Sequence, residues 1–364
     1  MFTKIVVILS TINSPYCNKR VAALQDTGIN MDIYGYKREG VIISNDMPYS
    51  VTTLGGVSEG DYKSRVGLYI KTLRGIAKKY NPEKTLYYLF GLDIAMFFLL
   101  LNKKVHYIYD ECDLTHTYMG LGKSMLEHID KIIIRKASLA VTTSEGFIKY
   151  HFGDTPPRNI VLAENKLDKK IIDYKPITCN TDNKKISIGF VGYPRFKSVY
   201  NFIDVFCSNY PNFDFHVFGG PVQSEFQSLS KYSNCHFHGF FQNPQDLPMI
   251  YSSIDLVLCT YDIVYDNVRY AEPNKLYESI YFNTPIIVSS KTFLADKVKK
   301  LNVGYEINAM DKDSILGFIN SITKETIEEK KLEMQKLDKI DAIRDDKELV
   351  KKISMVIDKL DIND

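Results

Sequence analysis

The strongest constraint on what this chain can fold into is a rhythm. Short apolar runs with strand character alternate with helix-like segments, and the alternation runs its course twice. The first series has strand-like segments at Lys4–Ser10, Asn30–Tyr36, Thr85–Leu89, Val105–Tyr109 and Leu139–Thr143. Helix-like segments at Asn18–Asp26, Asp61–Tyr80 and Ser124–Lys136 lie between them. This is the βαβ pattern of a parallel sheet covered on both faces. After a polar, Pro- and Asn-containing stretch from Asp173 to Lys185, the pattern restarts with Ile186–Val191, Asp214–Phe218, Cys235–Phe237, Leu256–Cys259 and Ile286–Val288. Single cores stop growing near about 250–300 residues, so 364 residues arranged this way predict two α/β domains. The expected division is 1–172, 173–345 and a terminal segment 346–364. In that segment Leu349, Ile353, Val356, Ile357 and Leu360 recur at helical spacing, so the helix must pack on something. The preceding Thr326–Lys339 alternates in charge sign and reads as a solvated helix face.

Charge excludes one class of function. Lys and Arg total 46 against 44 acidic residues, a net charge of +2, so there is no global basic field for nucleic acid. Cys17, Cys112, Cys179, Cys207, Cys235 and Cys259 are scattered without a C-x-x-C pair, and the N-terminus runs straight into Ile5–Leu9 without a basic leader, which together predict free thiols in a reducing cytoplasm. The longest apolar run, Ile94–Leu101, has eight residues, far short of the roughly 20 a spanning helix needs.

The most informative stretch for chemistry is Ala271-Glu272-Pro273-Asn274-Lys275-Leu276-Tyr277-Glu278, between Ile254–Cys259 and Thr284–Val288. It fits a crossover helix whose N-terminus opens at the carboxyl ends of the strands, where unpaired N–H groups and the helix dipole favour an anion such as a pyrophosphate. Pro273 suits the first turn, and Glu278 is placed to reach a ribose diol beside that phosphate. The competing reading is a capped helix with solvated charges. Gly189-Phe190-Val191-Gly192-Tyr193-Pro194-Arg195-Phe196-Lys197 ends a strand at a glycine and adds two cations, Arg195 and Lys197, able to neutralise phosphate. Phe218-Gly219-Gly220 is a strand-end turn of the kind that lines α/β crevices. Tyr109-Asp110-Glu111-Cys112-Asp113 sets three carboxylates just past an expected strand end, for acid–base work or for helix capping. His236-Phe237-His238 reads as ordinary strand residues, and Asp311-Lys312-Asp313 as a helix cap. No Gly-x-Ser-x-Gly elbow, P-loop or intact Gly-x-Gly-x-x-Gly is present.

Taken in order, Val191-Gly192 with Arg195 and Lys197, Phe218-Gly219-Gly220, Gly239-Phe240-Phe241, Asp246–Asp255, Glu272–Glu278, Thr284–Val288 and Asn302-Val303-Gly304 resemble the donor-binding domain of GT-B glycosyltransferases of family 4, the group that includes capsule and lipopolysaccharide sugar transferases. Asn18-Lys19-Arg20-Val21, Gly28, Lys37-Arg38, Tyr109-Asp110 with Asp113, and Lys136-Ala137-Ser138 to Ser144-Glu145 are similar, more loosely, to the family's acceptor domain. The resemblance implies two Rossmann-like domains facing across a cleft, with a C-terminal helix crossing back to the first. It implies transfer of a hexose-type sugar from a nucleotide sugar to a glycan or lipid-linked acceptor, with retention of configuration and without a metal or other cofactor, in surface polysaccharide biosynthesis. A cytoplasmic location follows, with peripheral contact at the inner membrane face for a lipid-linked acceptor. Lys63, Arg65, Lys71, Arg74, Lys78 and Lys79 are the basic residues expected to make that contact.

Residue by residue, the resemblance assigns Glu278 to the ribose, Arg195 and Lys197 to the diphosphate, the loops at Gly192, Gly219, Gly220 and Phe240 to the nucleotide, and Asn274 and Lys275 to the phosphate-facing helix start. Many family members carry a second glutamate eight residues before the ribose one. Tyr270 stands there in this chain, with Glu272 displaced by two. Cys112 occupies the place of a frequent acceptor-domain histidine, leaving Asp113 as the candidate for acceptor contact. Two other readings share the architecture: a nucleotide-sugar epimerase or hydrolase, and a non-catalytic nucleotide-sugar- or partner-binding subunit.

Overall fold

The computed structural model describes residues 4–12, 14–38, 49–58, 62–177 and 185–362, without the side chains of 62–64 and 362. The chain divides into two compact units, Met1–Glu164 with Asp345–Asp364, and Asn165–Arg344. Residues 165–172, assigned from sequence to the first domain, belong to the second unit. Leu167 bridges Ile343, Arg344 reaches Asp168 at 3.2 Å, and Ile171 sits in the second unit's core.

The first unit holds a seven-stranded sheet. Its strands are β1 (Lys4–Leu9), β2 (Met31–Arg38), β3 (Thr52–Val57), β4 (Thr85–Phe90), β5 (His106–Glu111), β6 (Leu139–Thr142) and β7 (Ile160–Leu162). They run in the order β3-β2-β1-β4-β5-β6-β7, every pair parallel. The even and odd residues of β1 feed opposite cores: Val6 and Ile8 pack with Tyr36, Tyr87 and Phe98, whereas Ile5, Val7 and Leu9 pack with Val21, Leu24 and Tyr88. That double burial explains the unbroken apolar run in the sequence. The C-terminal helix Lys347–Ile362 joins the second of these cores through Leu349, Ile353 and Ile357, with Val356 and Leu360 packed at its margin. These are the five residues whose helical spacing demanded a partner.

The second unit holds a six-stranded sheet. Its strands are β8 (Ser187–Val191), β9 (Asp214–Phe218), β10 (Cys235–Gly239), β11 (Leu256–Cys259), β12 (Ile286–Ser289) and β13 (Gly304–Ile307). The order is β10-β9-β8-β11-β12-β13, again wholly parallel. The chain builds outward from β8 to β10, then returns to the other side of β8 with β11. This is the 3-2-1-4-5-6 order of a Rossmann sheet, and its reversal leaves a crevice at the carboxyl ends of β8 and β11. No helix among the described residues is long and apolar enough to cross a membrane.

Two local expectations need revision. β5 continues to Glu111, so Asp110 and Glu111 are strand residues, both buried, and only Asp113 is exposed beyond the strand. The burial is possible because each carboxylate meets a base: Arg20 Nε lies 3.3 Å from Asp110, and His151 Nε2 lies 2.6 Å from Glu111. Arg20 is itself buried and also donates to the Ala163 carbonyl, which makes it a structural residue of the first unit. Arg65 is likewise no surface cation: it is buried, donates to the Ser58 carbonyl and stands 3.8 Å from Asp93.

Candidate functional site

At the crevice of the second sheet lies a pocket of about 300 Å³, lined by Phe190, Tyr193, Arg195, Phe196, Cys259, Thr260, Tyr261 and Lys275. Phe190 and Cys259 come from β8 and β11, so the pocket occupies the point where strand order reverses. Lys275 enters from the first turn of the helix Asn274–Phe282, with Nζ 4.7 Å from the centre of the Phe190 ring. Arg195 is exposed and lies over Phe196, its guanidinium carbon 5.0 Å from the ring centre. Two cations thus share a small pocket.

The helix ends around the pocket differ in what they can still bind. The helix Lys197–Asn209 is already closed: the Asp262 carboxylate accepts from the backbone N–H of Lys197 at 2.9 Å and of Ser198 at 2.8 Å. An anion is present there by construction. The helix Asn274–Phe282 starts after Pro273 with no side-chain cap, so its first N–H groups remain available to an anion beside Lys275. Thr260 adds a buried hydroxyl with no hydrogen-bond partner, on the pocket wall. Sequence reading missed it because a lone Thr after a strand carries no pattern. Burial pushes the Cys259 thiol up, against the pull of Lys275, and pushes the Tyr261 hydroxyl well above its ordinary value. Both are neutral at physiological pH, which leaves the cations as the only charges on the pocket wall.

The glycines serve the floor of this region. Gly192 and Gly219 have φ of +129° and +128°, and a Cβ on Gly219 would stand 2.2 Å from the Gly192 carbonyl oxygen. Gly192 N–H donates to the Phe218 carbonyl and Gly219 N–H to the Gly239 carbonyl, both at 2.7 Å. The ends of β8, β9 and β10 are thereby laid backbone against backbone, closer than any side chain allows. Gly220 faces the ring of Phe240, which is 80% exposed and free to meet a flat ligand.

The remaining sequence candidates are distributed as follows. Glu278 is buried on the helix that carries Lys275, accepts a 2.6 Å hydrogen bond from Tyr251, and is not among the pocket-lining residues. Glu272 is buried in an ion pair with Lys297 and accepts from Tyr277 at 2.9 Å. Asn274 is exposed at the helix start. Lys197 is exposed and lies outside the pocket wall. Asp113 is exposed on the first unit, its carbonyl accepting from the Thr115 N–H at 2.9 Å. Asp311 caps the helix Lys312–Ser321 by accepting from Asp313 N–H. The His236 and His238 rings share one face with His216, whose Nδ1 lies 3.0 Å from His238 Nε2.

Neither a protein-family model nor a curated protein sequence matches this chain. Solved structures do. A sucrose-phosphate synthase from Thermosynechococcus elongatus shares 13% identity over all of both chains, with a TM-score of 0.70. Anabaena HepE, in a structure with UDP and glucose, shares 13% identity over 96% of this chain and 99% of its own, TM-score 0.67. The lipopolysaccharide outer core galactosyltransferase WaaB shares 14% identity over 98% and 99%, TM-score 0.63. These three are GT-B glycosyltransferases, and the fold is theirs: two Rossmann-like domains built on parallel sheets.

Proposed function

We propose that the chain is a glycosyltransferase that moves a hexose from a nucleotide sugar to a glycan or lipid-linked acceptor in surface polysaccharide assembly. The observation that carries this reading is the pairing of Arg195 and Lys275 in a pocket beside an uncapped helix start, at the sheet's strand-order reversal. Two positive side chains and free helix N–H groups form a cradle for a diphosphate. HepE was solved with UDP and with UDP-glucose, which makes a uridine diphosphate sugar the donor to try first.

In this mechanism Arg195, Lys275 and the Asn274 end of the helix neutralise the charge that develops on the departing diphosphate, so the anomeric C–O bond breaks without a protein nucleophile or a metal. Lys197, two residues beyond Arg195 and outside the pocket wall, assists the same charge. The acceptor hydroxyl attacks from the face the diphosphate leaves, which retains configuration and passes the proton to the leaving oxygen. Glu278 steadies the ribose, with Tyr251 holding its carboxylate in place. Asp113 contacts the acceptor. Glu272 acts through Lys297 and Tyr277, fixing the helix entry and leaving the donor sugar to other groups.

A lipid-linked acceptor fits the surface of the first unit. The helix Tyr62–Lys79 contains no acidic residue, and its exposed residues include Val66, Ile70, Lys71, Arg74 and Lys78. Exposed apolar and cationic residues on one helix suit an anionic membrane surface. Of the basic residues named from sequence, Arg65 is committed internally and the Lys63 side chain lies outside the described residues. The test of function is calorimetry with UDP and UDP-sugars, then single-turnover transfer. Donor binding and a retained anomeric product are expected. Epimerised or free sugar formed without acceptor would favour the isomerase or hydrolase reading, and absence of any nucleotide binding would reject catalysis.

A further inference from the structure

The described residues of the first unit hold a second charged cluster, far more enclosed than the pocket described above. Glu111 at the end of β5, His116 in the turn that follows, Asp130 on the helix Lys123–Lys136 and His151 on the helix Glu145–Phe152 are all buried, His116 and Asp130 completely. One oxygen each from Glu111 and Asp130 and one ring nitrogen of His151 lie within 4.8 Å of one another. His151 Nε2 is 2.6 Å from Glu111 Oε1, and His116 Nδ1 is 3.2 Å from Asp130 Oδ2. The other carboxylate oxygens are already engaged: Thr142 donates to Glu111 Oε2 at 3.2 Å and Tyr109 to Asp130 Oδ1 at 2.8 Å. Outer hydrogen bonds of this kind aim the remaining oxygens inward, as they do around metals.

Protons alone balance this cluster poorly. Two imidazoliums would offset the two carboxylates, but an imidazolium has two N–H donors. His116 Nε2 and His151 Nδ1 have no hydrogen-bond partner in the buried interior, and His116 Nδ1 and Asp130 Oδ2 meet each other at 3.2 Å without hydrogen-bond geometry. Two unpartnered ring nitrogens beside a poorly aligned buried ion pair are a costly arrangement. A divalent cation offsets the same two negative charges and takes lone pairs from neutral imidazole and carboxylate directly.

We propose that Glu111, Asp130 and His151 bind a structural transition-metal ion, with zinc the best match, and that His116, 3.2 Å from Asp130 Oδ2, orients that carboxylate. Mixed nitrogen and carboxylate ligands suit zinc and its neighbours and not calcium or magnesium, which take oxygen alone. The ion ties β5 to the helices Lys123–Lys136 and Glu145–Phe152 and takes no part in sugar transfer. Because the site is enclosed, the metal enters during folding.

The test is to unfold the purified protein in denaturant with a chelator, refold it with either Zn²⁺ or EDTA, and isolate the monomeric folded fraction. Elemental analysis should then find about one zinc per chain in the first sample. Its Tm should exceed that of the EDTA sample by about 5 °C or more. Refolding with Co²⁺ should give the visible absorption of a low-coordinate nitrogen–oxygen site, lost in the double variant Glu111→Gln/His151→Gln. That variant keeps the size of each side chain, and its own Tm, unchanged between Zn²⁺ and EDTA, serves as the control. Wild-type protein that refolds without retained zinc and with the same Tm in both conditions overturns the proposal and leaves two buried ion pairs.

Discussion

The polar side chains around the pocket are few, and their partners distinguish residues that sequence alone grouped together. Arg195 and Lys275 face one pocket, whereas Lys197 begins a helix whose N–H groups are taken by Asp262. Arg195→Ala and Lys275→Ala should each lower kcat/KM by roughly 10- to 100-fold, the loss of a charge-assisted contact of about 1.5–3 kcal/mol. Lys197→Ala should cost less, and steady-state kinetics on the three variants checks the ranking. Tyr251→Phe should raise the nucleotide Kd by several-fold through Glu278, with the fold intact by circular dichroism. A pH effect belongs to this scale too. Burial, with His236 and His238 beside it, lowers His216 to about 4 from an ordinary value of 6.5, and Asp214 pulls weakly the other way. The unfolded chain therefore binds a proton that the folded chain refuses, so stability present above pH 6.5 is lost as pH falls towards 4. Urea midpoints at pH 7 and pH 5 should differ more in wild type than in His216→Gln.

Among elements, the terminal helix Lys347–Ile362 shows how well a periodic pattern reads from sequence. Its five apolar positions are the ones that pack into or against the first unit's core, because helical spacing and burial state the same geometry. Ile353 is fully buried there. Ile353→Ala should destabilise the protein by about 2–4 kcal/mol in urea unfolding, and no change would mean the helix does not dock. The strands β3 and β7 were not legible. The Thr-Thr-Leu-Gly-Gly-Val of Thr52–Val57 is interrupted by two glycines, and Ile160–Leu162 is three residues long, so both depend on pairing with a neighbour already formed. The end of β5 was misjudged for a related reason. Asp110 and Glu111 look like a loop until Arg20 and His151, distant in sequence, supply the charges that let a strand carry them. Pocket residues at strand ends and helix starts were readable because turn chemistry is local. Thr260, and the capture of one helix start by Asp262, depend on contacts between distant loops and were not.

At the scale of the molecule, the two sheets carry distinct tasks in this account: nucleotide sugar on the second, acceptor and membrane on the first. Wild-type protein should float with anionic liposomes, and Lys71→Glu/Arg74→Glu/Lys78→Glu should not, with donor binding unchanged between them; equal flotation would remove the membrane role. Brief exposure to EDTA should leave transfer activity intact if the reaction is carried by Arg195 and Lys275. The most direct measurement is calorimetric titration of UDP into wild type and into the double variant Arg195→Ala/Lys275→Ala. The account predicts binding by wild type and at least about a 100-fold weaker Kd in the variant. Equal affinity in the two proteins would contradict it.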